Sequence, residues 1–185
     1  TFTVTIPQKI ADEGTVGKFD ARLNNRKIKE EEDEKSGEGG RNDRFTAPHA
    51  RVLVVDDVRM NLNVVRLLLK NTGVQIDLAA SGEECLKYTL MKRYDVILMD
   101  HMMPIMDGIE ALHKVREQAD GLNADTPVVA LTANAIVGAQ EMYLREGFVS
   151  YLSKPVKSSD LEECLVKILP SEKIIYESAS EEHNE

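Results

Sequence analysis

The chain has 185 residues, of which 42% are apolar and 30% are charged, and its formal net charge is −9. This length suffices for one domain with a hydrophobic core but excludes a complete protein kinase, polymerase or TIM barrel joined to a second module. The 32 acidic residues outnumber the 23 basic ones, which argues against a nucleic-acid-binding surface. Charges also interrupt each hydrophobic run before the roughly 20 residues that a membrane span needs.

Two cysteines, Cys85 and Cys164, are too few for a disulfide scaffold, and we expect both to be buried helix residues in a reducing, cytoplasmic setting. The chain begins with Thr1 and carries no signal-peptide pattern. We therefore expect a segment of a longer protein, and a membrane-anchored parent is compatible with that expectation.

The amino-terminal part differs in composition from the rest of the chain. In residues 1–13, apolar residues and threonines alternate up to Pro7, which is the period-two pattern of a strand. Residues 14–48 are charged and poor in large apolar side chains, and they predict a flexible linker. A globular domain is expected at residues 49–170, followed by a polar tail at residues 171–185.

Short apolar runs rich in β-branched residues alternate with amphipathic stretches through the predicted domain, and such runs are typical of strands buried on both faces of a parallel sheet. The predicted strands are Val52–Val55, Gln75–Ala80, Val96–Met99, Val128–Leu131 and Phe148–Leu152. The predicted helices are Met60–Lys70, one starting at Ser81 with Glu84 completing a capping box, Glu110–Glu117, Ala135–Arg145 and Ser159–Ile168. This alternation predicts a doubly wound α/β fold.

Polar groups follow four of the five predicted strands. They are Asp56 and Asp57, then Asp100, then Thr132, and finally Lys154 with Pro155. Because ligands bind at the carboxyl ends of parallel strands, we expect these groups to meet at one edge of the sheet. Carboxylates about 4 Å apart repel by about 1 kcal/mol in water and about 4 kcal/mol at an effective dielectric near 20, so the cluster needs a cation or a proton. Oxygen ligands favour Mg²⁺, with Mn²⁺ as an alternative.

Each of these residues also has a more ordinary interpretation. Paired acids after a strand are commonly helix caps or surface residues, a terminal threonine is commonly a cap, and a Lys-Pro pair is commonly a turn. Tyr151 would then be a half-buried core aromatic, and Met102 a packing residue of the loop. We expect Asn61 on a helix surface or at a cap, and His101 in the loop that lines the site.

Four stretches together carry a resemblance to a known family, each in the family's order and at its usual spacing: Val54–Asp57, Leu98–Gly108, Leu131–Ala133 and Tyr151–Pro155. On these motifs, residues 51–169 resemble a response-regulator receiver domain of two-component signalling. The resemblance implies a flavodoxin-like fold with a five-stranded parallel sheet, the strand order 2-1-3-4-5, and five helices.

The resemblance also implies roles for the site residues. Asp100 would be the phosphoacceptor, taking a phosphoryl group from a phosphohistidine. Asp57 and Asp100 would bind Mg²⁺ directly together with the backbone carbonyl of Met102, and Asp56 would act through a coordinated water.

By the same resemblance, Lys154, Thr132 and the backbone of Ala133 would bind the phosphoryl group, and Tyr151 would be the aromatic switch. The peptide bond before Pro155 would be cis. Phosphorylation would then shift an equilibrium between two conformations of the domain.

The flanking residues bear on the context of this domain. The strand pattern before Pro7 resembles the closing strand of a histidine-kinase ATPase domain, and the tail is too short for a DNA-binding output domain. We therefore expect the receiver of a hybrid sensor histidine kinase. Its phosphohistidine donor would be a kinase dimerisation domain or a histidine phosphotransfer protein, and no contact with nucleic acid or membrane is expected.

Three alternatives stay open at this point. The first is a stand-alone response regulator. The second is a Mg²⁺-dependent phosphatase with an aspartate nucleophile, disfavoured because Met102 stands where such an enzyme needs a general acid. The third is an FMN carrier, disfavoured because carboxylates replace the phosphate loop after the first strand. The chain carries no complete nucleotide-binding motif, so any kinase activity would belong to a longer parent protein.

Overall fold

The computed structural model describes residues 45–119, 121–133 and 139–176. The predicted strand within residues 1–13 lies outside the described residues. So do most of the predicted linker, the end of the predicted tail, and the first residues of the helix predicted to start at Ala135.

A parallel sheet forms the centre of the described structure. Its strands are β2 (Arg51–Val55), β3 (Gln75–Ala79), β4 (Val96–Asp100), β5 (Val128–Thr132) and β6 (Ser150–Ser153). They lie in the order β3-β2-β4-β5-β6, and every neighbouring pair is parallel. Counted among these strands alone, the order is 2-1-3-4-5, so the predicted flavodoxin-like fold is confirmed.

The five helices between and after these strands are α1 (Arg59–Leu68), α2 (Gly82–Met91), α3 (Gly108–Glu117), α4 (Ala139–Glu146) and α5 (Ser158–Ile168). At the start of α2, Ser81 Oγ accepts a hydrogen bond from the Glu84 amide at 3.2 Å, as the capping box predicts. The Glu84 carboxylate accepts from the Ala80 amide at 2.7 Å, one residue before the donor that a capping box uses. Helix α3 begins two residues before its predicted start because Asp107 caps it.

The core lies on both faces of the sheet. Val52 and Val54 face a cluster shared with α1 and α5, whereas Leu53 and Val55 face a cluster shared with α2, α3 and α4. Strands β4 and β5 are buried at every position, which explains why their sequences are apolar without alternation. Both cysteines are buried and free. Across the described ranges, no helix has the length and apolarity that a bilayer span requires.

A second, two-stranded sheet joins the two ends of the described chain. Strand β1 (Phe45–Thr46) pairs antiparallel with β7 (Ile175–Tyr176), and we call this pair the terminal ribbon. Phe45 is only 6% exposed because its ring joins the core beside α1. Within the described residues, packing and strand pairing thus continue to Phe45 at one end and to Tyr176 at the other.

Charged contacts fix the approach to the terminal ribbon. Lys173 lies just before β7, and its Nζ lies 2.6 Å from Asp95 Oδ1, at the amino end of β4. The second carboxylate oxygen of Asp95 accepts a hydrogen bond from the Arg51 amide at 2.8 Å. Asp95 thus joins the start of the sheet to the carboxyl-terminal segment.

The buried ring of Phe45 yields a stability prediction. Phe45→Ala should lower the free energy of unfolding by about 3 kcal/mol, because truncation of a buried aromatic loses its transfer free energy and leaves a cavity. Denaturant unfolding of the full chain measures this change. Leu67→Ala, at an exposed position of α1, serves as the control and should change stability by less than about 0.5 kcal/mol. Equal stabilities of the two variants would contradict a structural role for the terminal ribbon.

Candidate functional site

Three acidic side chains meet at the carboxyl edge of the sheet. Asp56 and Asp57 directly follow β2, and Asp100 is the last residue of β4, the neighbouring parallel strand. One carboxylate oxygen from each residue lies within 4.8 Å of the other two. Asp56 is fully buried and Asp100 is 5% exposed, while Asp57 is open to solvent. The structure thus brings together the three carboxylates that the sequence places at strand ends.

Lys154 directly follows β6, the edge strand, and its ammonium bridges two of these carboxylates. Its Nζ lies 2.6 Å from Asp56 Oδ2 and 2.8 Å from Asp100 Oδ2. The Lys154 amide donates to the Thr132 carbonyl at 2.7 Å, which holds the turn after β6 against the end of β5. The Lys154–Pro155 peptide bond in this turn is cis.

Asp56 also organises the start of α1. Its Oδ1 accepts hydrogen bonds from the Val58 amide at 2.9 Å and from Asn61 Nδ2 at 3.0 Å, and Asn61 Nδ2 also lies 3.1 Å from Oδ2. Sequence reasoning assigned Asn61 only to a helix surface or cap and so missed its contact with the acidic cluster. This contact could have been predicted from the position of Asn61 in the first turn of the helix that follows Asp56, because that turn faces the end of the strand.

Burial and the neighbouring opposite charge shift the pKa values of Asp100 and Lys154 in opposite directions. Burial raises the pKa of Asp100, and the neighbouring Asp56 carboxylate adds to this effect, while the Lys154 ammonium opposes it. Burial alone would lower the pKa of Lys154, but hydrogen bonds to Asp100 and Asp56 outweigh it and raise the pKa. Lys154 therefore stays protonated at neutral pH, and the ionised form of Asp100 depends on nearby positive charge.

The other predicted site residues lie around this centre. Thr132 ends β5 with a buried side chain, and Ala133 follows it at the surface. Met102 is exposed in the loop after β4, and its amide donates a long hydrogen bond of 3.3 Å to Asp100 Oδ1. Tyr151 lies on β6, where its ring stacks on the ring of Tyr143 with centroids 6.1 Å apart.

The loop between β4 and α3 is held close to Asp100 by a glycine. A Cβ atom at Gly108 would overlap the Asp100 carbonyl oxygen, so no larger residue fits there without displacement. The Gly108 amide donates to the His101 carbonyl at 2.9 Å, which closes the loop on itself. Within this loop Ile105 adopts a φ of 71°, in the left-handed region that costs free energy for a β-branched residue.

The donor set fits a hard divalent cation. When ionised, the three carboxylates and the one ammonium of Lys154 carry a net charge of −2 (three negative charges and one positive). Carboxylate oxygens are the ligands that Mg²⁺ prefers, and it commonly binds one or two of them while keeping several waters. The exposed position of Asp57 leaves the cluster open to solvent.

Known proteins share both the sequence and the fold of this region. The family model of the response regulator receiver domain matches residues 52–166. Hybrid signal transduction histidine kinase G of Dictyostelium discoideum is 38% identical over 113 residues, which cover 60% of this chain and 3% of that protein.

Two solved structures illustrate the structural likeness. The receiver domain of a sensor histidine kinase from Pseudomonas aeruginosa PAO1, with a magnesium ion coordinated in its active site cleft, is 35% identical, with a TM-score of 0.58. The match covers 64% of this chain and 96% of that one. A chain from the co-crystal structure of the Saccharomyces cerevisiae histidine phosphotransfer protein Ypd1 and the receiver domain of Ssk1 is 25% identical. Its TM-score is 0.62, and the match covers 69% of this chain and 94% of that one.

The family model covers more than half of the residues, and its range contains all three clustered carboxylates and Lys154. The chain spans between 3% and 16% of the length of the curated histidine kinases that it resembles. The match to the family model agrees with the strand order of the sheet and with the acidic cluster at its edge. The chain belongs to the response regulator receiver domain family of two-component signalling.

Proposed function

We propose that this domain accepts a phosphoryl group on Asp100 from a phosphohistidine, in the presence of Mg²⁺, and changes conformation as a result. The observation that carries the proposal is the Lys154 ammonium, 2.6 Å from Asp56 and 2.8 Å from Asp100, beside three carboxylates that share one sheet edge. Such a site supplies position and positive charge, which phosphoryl transfer chiefly requires.

Asp57 and Asp100 would hold Mg²⁺ directly together with the Met102 carbonyl, and Asp56 would act through a coordinated water. The clustering of the three carboxylates supports this assignment, and the magnesium ion in the related Pseudomonas receiver is consistent with it. Mn²⁺ prefers similar oxygen ligands and is the alternative ion. Bound there, the ion supplies positive charge that neutralises the oxygens of the transferred group.

The transfer itself exchanges one bond for another. A carboxylate oxygen of Asp100 attacks phosphorus, a P–O bond forms, and the P–N bond of the donor breaks, so that the donor imidazole leaves with the bonding electron pair. Lys154 stabilises the ionised Asp100 beforehand and then pairs with the phosphoryl oxygens. Because both groups are held before the donor arrives, little reorganisation accompanies the reaction.

The remaining residues would respond to the new group. The Thr132 hydroxyl and the Ala133 amide would donate hydrogen bonds to the phosphoryl oxygens, since Thr132 ends β5 and Ala133 follows it, at the same edge of the sheet as Asp100. Tyr151, two strands away from Asp100 on β6, would change rotamer as Thr132 moves. The phosphoryl group would thereby favour one of two conformations of this edge.

Apolar surface beside the site supports a protein as the phosphoryl donor. On α1, Met60, Val64 and Leu67 are exposed at helical spacing, so one face of the helix is apolar and open. A cavity of about 110 Å³ between α1 and the turn after β6 is lined by Asp56, Val64, Lys154, Pro155 and their neighbours. A kinase dimerisation domain or a histidine phosphotransfer protein would cover this surface, and the Ypd1 complex of a related receiver is consistent with such a partner.

The parent protein would be a cytoplasmic or membrane-anchored hybrid histidine kinase, which the likeness to the Dictyostelium kinase supports. The phosphatase alternative is weakened by Met102, whose exposed thioether stands two residues after Asp100 and donates no proton. We propose neither nucleic-acid nor membrane contact for this domain.

Asp100→Asn should abolish phosphorylation, because the amide lacks a nucleophilic carboxylate oxygen. The full chain, incubated with Mg²⁺ and radiolabelled acetyl phosphate or a phosphorylated donor, should incorporate label, and the variant should stay at background. Asp107→Asn is a matched control, since asparagine keeps the helix cap at that position and labelling should be unchanged. Undiminished labelling of Asp100→Asn would refute the assignment of the phosphoacceptor.

Mg²⁺ should stabilise the folded chain, by about 2.7 kcal/mol when its free concentration is 100 times the dissociation constant. Asp57→Asn should lose most of this gain without lowering the stability measured in EDTA, because Asp57 is exposed and its charge adds to the repulsion in the cluster. Thermal unfolding with and without Mg²⁺, at constant ionic strength, measures both quantities.

Glu163→Gln, on the exposed surface of α5, is the control for this experiment and should keep the full response to Mg²⁺. An equal response in Asp57→Asn would place the ion elsewhere.

A further inference from the structure

Three aromatic side chains connect the phosphoacceptor end of β4 with the edge strand β6. His101 directly follows Asp100, and its ring meets the ring of Tyr143 on α4 edge to face, with centroids 5.4 Å apart. Tyr143 in turn stacks on Tyr151 of β6 at an interplanar angle of 21°. We call these three residues the aromatic relay. Tyr143 is its central member, and no motif in the sequence singles it out.

The Tyr143 hydroxyl is bonded to the residue beside the site. It lies 2.8 Å from His101 Nδ1, and the tyrosine side chain is only 2% exposed. A buried hydroxyl without a partner is unfavourable, so this bond restricts where α4 can sit relative to the end of β4. Phe148 also packs edge to face against Tyr143, with ring centroids 5.6 Å apart, and further limits the movement of the Tyr143 ring.

The backbone of His101 is hydrogen-bonded to both sides of the site. Its amide donates to the Leu131 carbonyl at 3.0 Å, and its carbonyl accepts from the Gly108 amide at 2.9 Å. The next amide, that of Met102, donates to Asp100 Oδ1. A phosphoryl group on Asp100 would change the hydrogen bonds of that carboxylate, and the adjoining backbone would carry the change to the imidazole of His101.

We propose that Tyr143 is a positioning residue that couples the occupancy of Asp100 to the placement of α4 and of the Tyr151 ring. This inference rests on the proposed phosphoacceptor function. It assigns to the hydroxyl a role in transmitting the signal, whereas the transfer of the phosphoryl group needs only the carboxylates, the ion and Lys154. The relay therefore separates receiving the phosphoryl group from reporting it.

The opposing interpretation is that Tyr143 only fills the core. Tyr94 offers a matched comparison, because it is also 2% exposed and its hydroxyl donates to Asp77 Oδ2 at 2.9 Å. Tyr94 precedes β4 and lies at the opposite end of the sheet from Asp100. Removing either hydroxyl deletes one side-chain hydrogen bond of a buried tyrosine, but only one of the two bonds belongs to the relay.

The test uses the full chain labelled with ¹⁵N and saturated with Mg²⁺ and beryllofluoride, a mimic of the phosphoryl group. Backbone amide shifts are followed at the site, for Asp57 and Met102, and on α4, for residues 140–146. Both sets should shift in the wild type and in Tyr94→Phe. In Tyr143→Phe the site amides should shift as in the wild type, whereas the shift changes on α4 should fall below half.

A second variant guards against a loss of stability in Tyr143→Phe. His101→Phe removes the Nδ1 partner while keeping a planar ring, and it should reduce the response of α4 to the same extent. Both substitutions delete the same hydrogen bond, the one between Tyr143 and His101. The response of α4 should therefore fall no further in the double variant than in either single variant.

The outcomes distinguish this inference from the function on which it rests. If the site amides of the wild type do not respond, the proposed phosphoacceptor function fails and the inference fails with it. If they respond and α4 keeps more than half of its response in Tyr143→Phe, or in His101→Phe where the first variant is unstable, the relay is overturned and the function stands.

Discussion

The acidic edge of the sheet depends on one ammonium group that reaches across two strands. Neighbouring strands lie about 4.8 Å apart, so Lys154, after β6, must span the width of β5 to reach Asp100 at the end of β4. Two carboxylates about 4 Å apart at an effective dielectric near 20 repel by about 4 kcal/mol, and the shared cation offsets this cost. The ammonium of Lys154 thus lowers the electrostatic cost of holding the buried Asp56 and Asp100 side chains beside each other at one edge of the sheet.

The parallel sheet and the centre of the site could be predicted from the sequence, because both follow from strand patterns, whereas the strand order followed from the resemblance to receiver domains. Apolar runs such as Val96–Met99 indicate strands covered on both faces, and an acid at the end of such a run must lie at the ligand-binding edge. Asn61 and Tyr143 escaped prediction because their partners are set by how α1 and α4 rotate against the sheet. That rotation is a property of packing, and the spacing of residues along the chain does not encode it.

The terminal ribbon escaped prediction for a different reason. Its strands are two residues long and come from opposite ends of the described chain, so neither carries a recognisable period. Composition assigned Phe45 to a charged linker, whereas the structure buries it beside α1. The family model covers residues 52–166 and does not include the ribbon. The terminal ribbon thus lies outside the range of the family model and pairs the first and last segments of the described chain.

The antiparallel pairing in the terminal ribbon has a mechanical consequence. Phe45 pairs with Tyr176 and Thr46 with Ile175, so the chain leaves the ribbon on both sides from the same end. A load applied through the flanking segments would separate the two residue pairs of the ribbon one after the other before it reached the parallel sheet. The next contacts to take the load would be the hydrogen bond from the Ala47 amide to the Thr72 carbonyl on one side and the Lys173–Asp95 ion pair on the other. Tension along the polypeptide would thus act first at the edge of the sheet opposite Asp100.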